Sequence, residues 1–169
     1  MSDNEISEDV KKRHVINAAD ARAQASEGTY GFLKSEFRRA KPTPEYPDGE
    51  VFEIPHKDLF DLDQQERWDD LQDEMRTCYE HDPDVLAPNG SLIAKGQLVY
   101  PHRWAKTTEK GKKGERVKPS WPERLAIVLW GEDGAARAKA GGILFNEIEL
   151  VWAKQRLALE ERQKSDPKS

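Results

Sequence analysis

Apolar residues recur at three- and four-residue spacings in two long stretches of the chain, and this helical period is its clearest signal. In the first stretch, from Asp58 or Asp61 to Glu80, Leu59, Leu62, Trp68, Leu71, Met75, Cys78 and Tyr79 form one stripe of a predicted helix. The second starts at Ile143, where Leu144, Ile148, Val151, Trp152 and Leu159 fall along one face and Lys and Arg gather toward the C-terminal end, as a helix dipole favours. Between them, Ser120 or Trp121 can cap a helix that has Pro122 at its first position, where the missing N–H costs nothing. The run ERLAIVLW follows and Gly131 ends it; a short Ala-rich helix over about 133–140 closes at Gly141-Gly142.

Other segments have no such period. Val51 to Pro55, VFEIP, alternates apolar with polar residues and fits a short extended strip, and Leu92 to Tyr100 is strand-like or irregular around Gly96. Residues 1 to about 28 offer few large apolar side chains and read as a disordered arm. The cluster Tyr30, Phe32, Leu33 and Phe37 either docks on the domain or faces a partner, and both readings stay open. Pro42, Pro44, Pro47 and Gly49 then forbid continuous helix and mark a connector. The expected architecture is mainly α: a compact helical domain over 51–160 with room for one small β element, a flexible arm and Pro-rich connector over 1–50, and a frayed tail over 161–169.

Charge is unevenly placed. Asp58 to Asp84 holds eleven Asp or Glu against two Arg, a local charge of −9, whereas Arg103 to Lys118 holds seven Lys or Arg against two acids, a local +5 in what reads as a flexible loop. The net −5 argues against general attraction to nucleic acid or an anionic membrane. One cysteine excludes an intramolecular disulfide, no apolar run reaches the roughly 20 residues of a membrane span, and the acidic start lacks the pattern of a secretion signal. A cytoplasmic location is the simplest expectation.

Candidate chemistry is sparse. His14, His56, His81 and His102 lie far apart with no His or Cys partner at a metal-ligand spacing. Cys78 sits on an acidic helix, where carboxylates raise rather than depress a thiol pKa. No phosphate-binding glycine pattern is present, and no nucleophile, base and orienter can be assembled, so neither enzyme nor cofactor is expected. The basic loop, with Lys110, Lys112, Lys113 and Arg116 flanked by Trp104 and Trp121, is a candidate electrostatic contact for nucleic acid, weighed against an acidic chain. The same loop can instead pair with the acidic helix of its own or a neighbouring molecule, which favours a homo-oligomer.

The succession P-S-W-P-E-R-L-A-I-V-L-W-G-E-D-G, then A-R-A-K-A-G-G, then a helix containing L-V-W, resembles the tail assembly chaperones of long-tailed phages that infect actinobacteria. Pro122, Arg124, Leu125, Leu129, Trp130, Gly131, Ala140, Gly141, Gly142 and Trp152 carry the resemblance, and Phe52, Ile54, Pro55, Asp61, Gln64 and Gln65 extend it upstream. It spans roughly residues 51–160; the Lys- and Gly-rich insertion before Ser120 departs from it. The resemblance implies an assembly factor of the host cytoplasm, absent from the mature virion, that binds the tape measure protein, keeps it soluble and promotes tail tube assembly. It also implies a longer, frameshifted form of the same gene product. Such a partner is a long helix with apolar stripes that aggregate unless covered, and helix-in-groove packing covers them. For Trp68, Trp130 and Trp152, each on a helix stripe, core packing is the first reading, with part of that apolar surface shared with a partner; Trp130, Phe145, Ile148 and Trp152 are the expected partner contacts. Two other readings compete: a virion structural or tail-completion protein, and a nucleic-acid-binding accessory protein acting through the basic loop.

Overall fold

The computed structural model describes residues 33–165. The predicted arm over 1 to about 28, Tyr30 and Phe32 of the aromatic cluster, and the last four residues of the predicted tail lie outside the described residues. Strand β1 (Glu36–Arg39) pairs antiparallel with β2 (Val51–Ile54), placing Phe37 opposite Glu53 and Arg38 opposite Phe52. After a short 3-10 turn over Lys57–Leu59 come helix α1 (Leu62–Cys78), a second antiparallel pair, β3 (Val85–Leu86) with β4 (Leu92–Ala94), and helices α2 (Trp121–Ala140) and α3 (Asn146–Ser165). Helices dominate, as the periodicity predicts, but the single small β element becomes two separate antiparallel pairs. Each recruits a strand that has no sequence signal of its own, because pairing across a turn with the neighbouring strand defines it.

The expected boundary at residue 51 moves. Residues 33–50 are not a flexible connector but half of the first hairpin and its turn: Leu33 and Ala40 are buried, and Ala40 N–H donates to Glu50 O at 2.8 Å. The prolines shape this turn. Thr43 and Gly49 each donate N–H to Tyr46 O, and Gly49 holds φ +85° so tightly against Ala40 that an added Cβ would stand 2.1 Å from its carbonyl oxygen. Lys41 N–H in turn donates to Gly141 O, tying the hairpin to the end of α2.

Helix α1 begins with a capping box, in which the Asp61 carboxylate accepts from Gln64 N–H and the Gln64 side chain accepts from Asp61 N–H. The predicted stripe is narrower than expected: Leu71 is buried and Trp68 is packed against the core, but Leu62 is 88% exposed. In α2, Gly131 adopts φ 72° and ψ 172°, so two helical pieces meet at the position where the sequence predicts a stop. Leu125, Ala126 and Leu129 from the first piece and Ala135 from the second pack with Ile54, Ile148, Val151 and Trp152 into the main core. A satellite of Ala40, Phe52 and Ala138 lies under the first hairpin. On area grounds, burying one such large side chain stabilises by about 1.5–3 kcal/mol.

The basic segment 103–118 is folded rather than flexible. Antiparallel bridges join Arg103 to Arg116 and Thr108 to Gly111, and Ala105 N–H donates to Cys78 O at the end of α1. Trp104 and Val117 are its anchors, buried with Tyr79 in a third cluster. Gly111 lies flat on the Trp104 indole, where an added Cβ would come within 2.3 Å of Nε1. Among the described residues no helix is long and apolar enough to cross a membrane.

Candidate functional site

Of the four expected partner contacts, Ile148 and Trp152 are core residues, and Trp130 and Phe145 are half-buried against that core. Ile148 is fully buried and Trp152 is 9% exposed, its indole N–H donating to Pro55 O at 2.9 Å. Trp130 donates to Glu53 O at 2.8 Å, meets Phe52 edge-on at 5.1 Å between ring centroids, and shields Phe145. Phe145 is half-buried against the same cluster. These aromatics close α2 and α3 over the first hairpin; Ile148 is fully enclosed, whereas an edge of Trp152 lines a depression of about 410 Å³ with His56, Lys57, Glu149 and Arg156. Of the predicted stripe, Ile148, Val151 and Trp152 lie on α3 and face inward and Leu159 is half-buried, whereas Leu144 precedes the helix and is 67% exposed. The opposite stripe faces outward, with Leu150 and Leu157 both more than half exposed.

The basic candidates sit elsewhere. Lys110 Nζ lies 2.6 Å from Glu74 Oε1, so the acidic helix and the basic segment already meet within one chain. Lys112, Lys113 and Arg116 are exposed. The two tryptophans expected to stack with them are engaged: Trp104 is buried, and Trp121 is half-buried against His102 with its N–H donated to Glu149. The basic segment therefore presents lysines without an open aromatic platform, the combination single-stranded nucleic acid favours.

Sequence reasoning missed a buried polar cluster where these segments converge. Arg124, in the first turns of α2, donates from Nη1 to the Tyr79 hydroxyl at 2.8 Å, from Nη2 to His102 Nδ1 at 3.0 Å and from Nε to Pro119 O at 3.0 Å. Tyr79 passes the contact on by donating to Glu74 at 2.9 Å. Burial, aided by the adjacent guanidinium, pulls the His102 pKa down to about 4, so the ring is neutral and Nδ1 is free to accept from Arg124. Burial likewise pushes the Tyr79 phenol well above its usual value and keeps it a hydrogen-bond donor. The cluster pins α1, the basic segment and α2 to one another. Its residues belong to three segments that no local pattern connects: Tyr79, His102 and Arg124 were each noted in the sequence, but for separate reasons and never as one cluster.

A concavity lies over this cluster. A depression of about 510 Å³ lies between α1, the basic segment and α2, lined by Leu71, Trp104, Ile127 and Val128 and edged by Arg67, Asp70, Lys110, Lys118 and Glu132. A second, of about 500 Å³, continues along α2 past Ala135, Ala136 and Ala140, and the two share Ile127 and Glu132. The small residues of the Ala-rich piece keep this outer face of α2 low. The resulting groove has apolar walls and charges of both signs along its edges.

Among the described residues no group of three His, Cys, Asp or Glu side chains is placed to hold a metal ion, and the titratable cluster beneath the groove is internally hydrogen-bonded. Compared with known protein families, with characterised proteins and with solved structures, the chain shows no match.

Proposed function

We propose that this chain is an assembly chaperone that holds an amphipathic helix in the groove along α2, and that its partner is the tape measure protein of a long phage tail. The observation that carries the reading is the pair of adjacent depressions along α2, which share Ile127 and Glu132 in their lining and hold apolar side chains beside charges of both signs. A helix lays its apolar face into such a groove and its polar flanks against the edges. The tape measure identity comes from the sequence resemblance, whose residues Pro122, Arg124, Leu125, Leu129, Trp130 and Gly131 build the helix that forms the groove wall. On this reading the partner contacts pass from Trp130, Phe145, Ile148 and Trp152 to Ile127, Ala136 and their neighbours, while the tryptophans hold the wall in place. The chain acts in the host cytoplasm, leaves before the virion matures, and shares the task with a longer, frameshifted form of itself.

Co-expression with the long helical protein encoded beside it provides the test. The chain should keep that protein soluble and co-purify with it, and purified virions should lack the chain. Ala136→Trp, which fills the groove from an exposed position, should abolish co-purification and leave the melting transition in place. Undiminished capture by Ala136→Trp would remove the groove from the proposal, and failure of the unaltered chain to bind would remove the chaperone reading.

A further inference from the structure

The second hairpin is an arm with no core of its own. From His81 to Lys95 every residue except Ala87 is exposed, and Val85, Leu86, Leu92 and Ile93 are exposed by 53, 57, 57 and 65%. Leu86 and Leu92 are cross-strand partners and so share one face. Two strands alone are marginal in water and need a third strand or a helix to pack against. Four large apolar side chains on a projecting hairpin form a surface of the kind that marks a contact.

The same chain carries a complementary surface. On α3, Leu150 and Leu157 are 68% and 56% exposed, one heptad apart, on the side opposite the buried stripe of Ile148, Val151 and Trp152. The charges agree with the shapes. Glu80 to Lys95 holds three acids against one Lys, a net −2, all at the base of the arm, whereas Ala153 to Lys164 holds four basic residues against two acids, a net +2. The lengths agree as well: six extended steps from Asp82 to Pro88 reach about 20 Å, and fourteen helical steps from Leu150 to Lys164 cover about 21 Å.

We infer that the β3–β4 arm of one copy docks on the outer leucine stripe of α3 in a second copy, reciprocally, giving a two-fold dimer. Leu86 and Leu92 lie over Leu150 and Leu157, and the acidic base of the arm lies over the basic second half of α3. Lys154, whose Nζ reaches Glu36 at 2.9 Å in the single chain, stands between the two leucines and lends its charge to both contacts. Two-fold symmetry repeats the contact and closes the assembly. This replaces the expected pairing of acidic helix with basic loop between subunits, since Glu74 and Lys110 meet inside one chain. The inference does not depend on the helical partner or on the α2 groove.

Sedimentation equilibrium of the full chain, over a wide concentration range at low salt, tests it with two double variants: Leu86→Asp/Leu92→Asp in the arm and Leu150→Asp/Leu157→Asp in the stripe. All four positions are exposed, so both variants should keep the helical circular dichroism of the unaltered chain. The unaltered chain should pass from monomer to dimer mass with concentration, and each variant should remain monomeric over the same range. An equimolar mixture of the two variants should regain a heterodimer, because it restores one intact arm and one intact stripe. A monomeric unaltered chain, a stripe variant that dimerises undiminished, or a mixture that stays monomeric would each overturn the inference.

Discussion

Arg124 Nη2 donates to His102 Nδ1 at 3.0 Å, and that bond exists only while the imidazole is neutral. Protonation would set a cation against a buried guanidinium. The native ring, with its pKa near 4, stays neutral through the pH range in which an unfolded histidine takes up its proton, near 6.5. The stabilising contribution is therefore complete above pH 6.5 and is lost as pH falls toward 4, with a ceiling of roughly 3 kcal/mol for the full shift. Urea melts at pH 7.5, 5.5 and 4.5 should show this loss, and His102→Gln, which cannot titrate, should show a shallower decline over the same window. Equal slopes would mean that His102 does not sense the acid.

Trp152 separates the folding role of the expected contacts from a binding role. Its ring lies 5.9 Å from Trp68 and 6.2 Å from Phe60, and Lys57 Nζ sits 4.8 Å from the ring centroids of both Trp68 and Trp152. Trp152→Ala removes the shared member of this group and leaves a cavity beside Ile54, so it should cost about 3–5 kcal/mol. Ile148→Asp, which buries a charge at a fully enclosed position, should cost at least as much. Chemical denaturation measures both, and a binding defect in either variant should disappear from the fraction that remains folded.

The helices were legible because their signals are local. The Asp61–Gln64 capping box, Pro122 near the start of α2 and the glycines at 131, 141 and 142 all mark boundaries within a turn or two of the residues they act on. Strand β1 was not legible, because EFRR acquires strand character only by pairing with Val51–Ile54 across a turn that reads as a linker. The anchor role of Trp104 was hidden for a similar reason. It stands between Arg103 and Ala105 in a segment rich in Lys and Gly, and its burial depends on Tyr79 and Val117, which lie 25 and 13 positions from it in sequence. The α3 stripe was found but left divided between core packing and a partner, since periodicity shows that a helix has an apolar face without showing what covers it. The groove was out of reach altogether, because three non-adjacent segments form it.

Gly131 provides a test of the bend in α2. Its φ of 72° and ψ of 172° fall in a region that side chains avoid, although the space around it is open. Gly131→Ala should therefore destabilise through the backbone alone, by roughly 1–3 kcal/mol, and not through a clash. A urea midpoint equal to that of the unaltered chain would show that the two pieces of α2 can realign at no cost.

The pairing of Lys110 with Glu74 should matter less than its 2.6 Å separation suggests. Lys110 is largely exposed, and exposed ion pairs contribute from nothing to about 1 kcal/mol and weaken with salt. Lys110→Ala should accordingly shift the urea midpoint little, and the remaining difference should vanish in high salt. Gly111→Ala, one residue along, should behave oppositely: its Cβ would press on the buried Trp104 indole, and salt cannot relieve that contact. The expected ordering, a small salt-sensitive loss at 110 and a larger salt-insensitive one at 111, follows if packing on Trp104 rather than charge holds the basic segment against α1. Reversal of that ordering would make the electrostatic contact the principal tether.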